Sequence, residues 1–103
     1  MGSTMVSYSF FAHLRHCGPV EGVGVTLKTT YGRIIDSGAT DGGGWATLWA
    51  QASQYVYVYF MGSRIDGPMT GGGHWEFRLE NRRGYEDDDI YMLLIPELVS
   101  RER

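Results

Sequence analysis

Trp45-Ala46-Thr47-Leu48-Trp49-Ala50, the polar link Gln51 to Gln54, and Tyr55-Val56-Tyr57-Val58-Tyr59-Phe60-Met61 decide the fold class. Aromatic and β-branched side chains recur here with period two, the repeat of an extended strand whose neighbours point to opposite faces. Read as a hairpin, the stretch has two apolar faces. Trp45, Thr47 and Trp49 oppose Ala46, Leu48 and Ala50, and Tyr55, Tyr57 and Tyr59 oppose Val56, Val58 and Phe60.

The same period extends outward in both directions. Towards the N-terminus, Val6, Tyr8 and Phe10 alternate with Ser7 and Ser9 in a strand running to about Leu14, ended by Cys17-Gly18-Pro19. Val23, Val25 and Leu27 alternate with Gly24, Thr26 and Lys28. A short strand through Ile34-Ile35 leads to the turn Thr40-Asp41-Gly42-Gly43-Gly44. Towards the C-terminus, a loop from Gly62 to Gly73 precedes Trp75, Phe77 and Leu79, which alternate with Glu76, Arg78 and Glu80. Ile90 to Ile95 is apolar on both faces and reads as a central strand stopped by Pro96.

Strands of this length separated by turn signals predict an all-β, seven-stranded antiparallel sandwich, Ig-like or prealbumin-like, with a closed barrel as the rival. The chain of 103 residues holds one core. We expect residues 1–4 to be an N-terminal tail or expression scar, 5–98 the domain, and 99–103 a C-terminal tail.

Composition removes several function classes. A net charge of −3 gives no basic stripe to displace counterions from nucleic acid. No apolar run approaches the roughly 20 residues of a bilayer span, so no membrane insertion is expected, and no signal peptide is legible. The single cysteine, Cys17, makes no internal disulfide. Localisation is unsigned, with an extracellular or virion-associated setting compatible.

Gly18-Pro19-Val20-Glu21-Gly22-Val23-Gly24-Val25-Thr26-Leu27, Gly32, Thr40-Asp41-x-x-Gly44-x-Ala46-x-Leu48 and Tyr55-x-Tyr57-x-Tyr59 resemble the carboxypeptidase regulatory-like domains, which share the prealbumin-like, or transthyretin-like, sandwich. The resemblance covers about residues 18–60. It implies a seven- or eight-stranded sandwich used as an accessory, adhesive or structural module, normally without catalysis. It also implies that Ala46, Leu48 and the three tyrosines turn inward, leaving Trp45, Trp49, Val56, Val58 and Phe60 outside. Propensity alone turns the tyrosines the other way. The glycine triplet 42–44 and the lack of a glycine before Tyr55 depart from the family pattern. The hydroxyisourate hydrolases, a catalytic branch of the fold, end in Tyr-Arg-Gly-Ser. This chain ends Leu98-Val99-Ser100-Arg101-Glu102-Arg103, so their activity is not carried over.

Three groups of residues have side chains suited to chemistry. His13-x-x-His16-Cys17 has zinc-ligand types, but positions three apart on a strand face opposite sides and a fourth ligand such as His74 is not fixed by spacing. Glu86-Asp87-Asp88-Asp89 has oxygen ligands without a calcium loop around it, and reads as a solvated turn guarding an apolar strand. Serine, histidine and carboxylates occur without a nucleophile elbow or phosphate loop. No cofactor and no enzyme activity are expected.

The expectation is therefore a non-catalytic module that self-associates, or docks on a protein partner, within a filament, virion or surface protein. Its interaction surface would be Trp45, Trp49, Val56, Val58 and Phe60, whose aliphatic content favours protein packing. The alternative is a carbohydrate-binding platform of Trp45, Trp49 and Tyr57. A small metal-dependent or hydrolytic enzyme of the prealbumin fold is the second alternative.

Overall fold

The computed structural model describes residues 4–14, 18–83 and 92–102. Every described element is a strand: β1 (Met5–Leu14), β2 (Gly24–Lys28), β3 (Ile34–Ala39), β4 (Trp45–Gln51), β5 (Val56–Phe60), β6 (Ser63–Met69), β7 (Gly73–Arg83) and β8 (Met92–Glu102). They form two four-stranded sheets, β4-β1-β7-β8 and β3-β2-β5-β6, with no closed barrel. All pairings are antiparallel except β1 with β7, which run parallel through the middle of the first sheet.

The expected 45–60 hairpin does not form. β4 pairs with β1, and β5 pairs with β2 and β6, so the link between them carries the chain from one sheet to the other. Two bonds hold that crossing: Ala52 N–H donates to Thr4 C=O at 2.8 Å, and Gln54 N–H to Gln51 C=O at 3.0 Å.

The core lies between the sheets. Tyr8, Phe10, Ala12, Trp75, Phe77 and Leu79 come from one side, and Val25, Leu27, Val56, Val58 and Phe60 from the other. Phe60 and Phe77 stack across the gap with ring centroids 3.7 Å apart. Trp75 lies flat against Tyr8 and Phe10, at 6.0 and 5.4 Å, and its indole N–H donates to the buried Asp66 carboxylate at 3.2 Å. Burial pushes the Tyr8 phenol above its ordinary 10.0, partly offset by the nearby Gly72 backbone. A raised phenol binds its proton more tightly in the fold, so its contribution is complete below the unfolded value and is lost as pH climbs past it. Tyr8→Phe should therefore flatten part of the fall in melting temperature above pH ~10.

Both segments containing an interior proline lie at sheet edges. The stretch expected to be the Gly62–Gly73 loop holds β6, with Gly67-Pro68 inside it, and β8 runs through Pro96 rather than stopping there. Proline has no N–H for a ladder, and only an edge strand can spare one. β8 is thus an edge strand, not the expected central one, and it continues over 99–102, residues read as a tail. Among the described residues β1 accompanies β7 as far as the Leu14–Leu79 pair, and β7 and β8 pair on to Arg83–Met92. The longest extent is 59 Å, with a radius of gyration of 15.1 Å against about 13 Å for a compact chain of this length.

Candidate binding face

β4 is an edge strand whose inward positions are aliphatic: Ala46, Leu48 and Ala50 are buried. Its outward positions are Trp45, Thr47, Trp49 and Gln51, all exposed. Beside them on β1 stand Ser7, Ser9, Phe11 and His13, and beyond these on β7 stand His74, Glu76 and Arg78. Register sets the rows: Ser7 lies opposite Trp49, Ser9 sits between Thr47 and His74, and Phe11 sits between Trp45 and Glu76.

Contacts within this face are specific. The Trp45 ring rests on Phe11 at 4.7 Å and on His74 at 5.6 Å. The Ser9 hydroxyl lies 2.8 Å from His74 Nδ1, so the imidazole under the indole is itself held. His13 stacks on Phe11 at 5.4 Å and points Nε2 at the Glu76 carboxylate, 3.7 Å away. That partly exposed pair contributes little to stability.

The turn before β4 explains how the platform is fixed. The Asp41 carboxylate accepts from Gly43 N–H at 2.9 Å and Trp45 N–H at 3.0 Å. Gly44 takes φ +82°, and a Cβ there would collide with the Ala12 carbonyl and Pro19, so only glycine lets β4 start this close to β1. On the edge of β4 away from β1, where β3 packs beside it, the Asp36 carboxylate accepts Trp49 N–H at 3.0 Å. A carboxylate that occupies an edge donor obstructs strand addition at that point.

The residues expected at the interaction surface separate. Trp45 and Trp49 are on this face, 47% and 49% exposed. Val56, Val58 and Phe60 are in the core, at 0–1% exposure, and belong to the other sheet. The reason is the phenol: a buried tyrosine hydroxyl needs a partner, whereas valine and phenylalanine fill a dry core without one. The tyrosines of β5 turn outward instead, with Arg64 over the Tyr57 ring at 4.6 Å and Lys28 over Tyr59 at 4.5 Å. Tyr57 is therefore on the opposite side of the sandwich from the two tryptophans, and the expected three-residue sugar platform loses it.

Sequence reasoning missed Phe11 and His74. Phe11 was legible in the alternation of β1, as the outward neighbour of two buried residues. His74 depended on the parallel β1–β7 pairing, which no local pattern announces. No metal site is expected from the sequence; of the weak zinc candidates, His16 and Cys17 lie outside the described residues, as does the acidic run 86–89. Among the described residues no cluster of three or more His, Cys, Asp or Glu is present. The Ser9–His74 pair has an indole against the imidazole, and Glu76 faces His13.

Comparisons with protein-family models, curated proteins and solved structures find no match. The resemblance of residues 18–60 to the carboxypeptidase regulatory-like domains rests on those residues alone.

Proposed function

We propose that the chain is a non-catalytic interaction module, a prealbumin-like sandwich that docks within a larger assembly such as a filament, virion or surface protein, through the open face of β4-β1-β7. The observation that carries this reading is the pair Trp45 and Trp49, each half-exposed on a strand whose other face is fully packed. A strand that already has its core side does not need two indoles in water for folding. The eight strands in two sheets fit the sandwich that the sequence resemblance implies.

A double variant, Trp45→Ser with Trp49→Ser, tests it. We expect a cooperative fold destabilised by no more than about 1 kcal/mol per site, together with loss of whatever the face engages. Loss of the cooperative unfolding transition in the variant would assign the rings a structural role and overturn the reading.

Self-association is a second reading, favoured by a different observation. Beyond the Leu14–Leu79 pair, Glu80–Arg83 and Met92–Ile95 form a ribbon with no third strand among the described residues, and two-stranded ribbons are marginal in water. The sequence there, Met92-Leu93-Leu94-Ile95, is wholly apolar. Light scattering across protein concentration decides it: a stable multimer supports this reading, and a monomer at all concentrations removes it.

A further inference from the structure

We propose that the open face of β4-β1-β7 is a platform for a neutral oligosaccharide, with Trp45 and Trp49 as stacking surfaces and Ser9, Thr47, His74 and Glu76 as hydrogen-bonding neighbours. The proposal rests on the reading that this face is where the chain is engaged, and names the ligand class. A sugar ring has an apolar C–H face and a polar hydroxyl rim, so it is recognised by a flat aromatic surface with donors and acceptors close to the ring edge.

That combination is what remains once Val56, Val58 and Phe60 are in the core. Apart from Met5 at one end, the apolar side chains of this face are aromatic. Ser7, Ser9 and Thr47 occupy the rows between and beside the two indoles. A protein interface has a continuous dry centre in which serine is depleted, and hydroxyls spread through this face oppose that use. The edge of β4 beside it is occupied by Asp36 and Asp41, which disfavours a second copy adding a strand there.

Preorganisation supports the same ligand. Trp45 is held by Phe11 and His74, and His74 by Ser9, so a ligand stacking on Trp45 does not have to order that side chain first. Trp45 and Trp49 are four residues apart on one strand, roughly 13 Å at about 3.3 Å per residue. A single pyranose is smaller than this separation. Two platforms so placed address separate units of one chain, which makes the ligand an oligosaccharide rather than a monosaccharide. The carboxylate of Glu76 opposes an acidic sugar near Phe11, which makes neutral units the better fit.

The test is titration of the purified chain with cellohexaose, maltohexaose, xylohexaose and mannohexaose, each beside its monosaccharide, followed by tryptophan emission. Trp75 is buried and supplies a constant background, so a shift reports Trp45 or Trp49. We expect at least one hexaose to bind, its monosaccharide not to, and Trp45→Ala and Trp49→Ala each to weaken binding about tenfold or more. Tyr57→Ala, on the other sheet, should bind as the parent does. If Trp45→Ala fails to fold, Trp45→Phe keeps the test open, because a smaller ring should retain part of the affinity. Binding that survives both alanine variants, or that Tyr57→Ala removes, overturns the proposal. So does the absence of binding to every hexaose. In that case, a multimer that the tryptophan variants dissociate would leave the interaction reading standing with a second copy as occupant, and an unchanged mass would remove self-association through this face.

Discussion

Val58→Asp should abolish the cooperative fold, whereas Tyr57→Asp, one residue away, should leave it standing. Val58 is fully buried and pairs with Leu27 on one side and Asp66 on the other. A carboxylate placed there leaves water without a partner, at a cost of several kcal/mol, and adds a like charge close to Asp66. A domain of this size has about 5–15 kcal/mol in total, so the loss is comparable to the whole margin. Tyr57 faces outward beneath Arg64, and its replacement forfeits a cation–π contact of about 0.5–1 kcal/mol and some covered ring area. Urea denaturation of both variants separates them. A folded Val58→Asp beside an unfolded Tyr57→Asp would mean that β5 is turned over, with its tyrosines in the core. The consequence is functional as well as structural, because only the observed orientation withdraws Val56, Val58 and Phe60 from any partner.

Trp75→Ala has the second largest expected effect. The indole fills the centre of the first sheet between Tyr8 and Phe10, and truncating a buried tryptophan costs about 3–5 kcal/mol through lost contact and the cavity left behind. Trp75→Phe separates packing from polarity. The smaller ring keeps much of the stack but removes the donor to Asp66, a buried carboxylate that also accepts from Gly67 N–H at 2.8 Å. Losing one donor to a buried acceptor costs about 1–3 kcal/mol. Trp49→Ala, by contrast, should shift the unfolding midpoint little. The ordering Trp75→Ala, then Trp75→Phe, then Trp49→Ala in chemical denaturation is the expected result, and equal losses at positions 75 and 49 would place Trp49 in the core.

Much of the fold is local and was legible. Period-two alternation located β1, β2, β4, β5 and β7, since a half-buried strand imprints its two environments on alternate residues. The same signal could not say which face is inward where both are apolar. In β4 the aliphatic residues Ala46, Leu48 and Ala50 go inward; in β5 the valines do, and the resemblance to a known family had pointed the tyrosines of β5 the wrong way. Partner choice was not local either. The short link after Gln51 looks like a hairpin turn, yet it changes sheets, because the edge of β1 and the gap beside β2 are filled by different strands. Pro68 and Pro96 suggested breaks, but a proline at a sheet edge costs no ladder bond, so β6 and the full length of β8 escaped notice. Of the candidate site, Trp45 and Trp49 were visible as surplus aromatics. Phe11 and His74 came to them only through the parallel β1–β7 pairing.

We propose that Trp45 and Trp49, and not the aromatic side of the opposite sheet, are the surface by which the chain is engaged; site-resolved oxidative footprinting with mass spectrometry tests this most directly. In the free chain, Trp45 and Trp49 should label readily and Trp75 should not, in keeping with half-exposed and fully buried rings. With a bound oligosaccharide, or within the native assembly, Trp45 and Trp49 should become protected together while Tyr57 and Tyr59 keep their free-state labelling. Protection of Tyr57 and Tyr59 with Trp45 and Trp49 still reactive would contradict the account and move the binding surface to the other side of the sandwich.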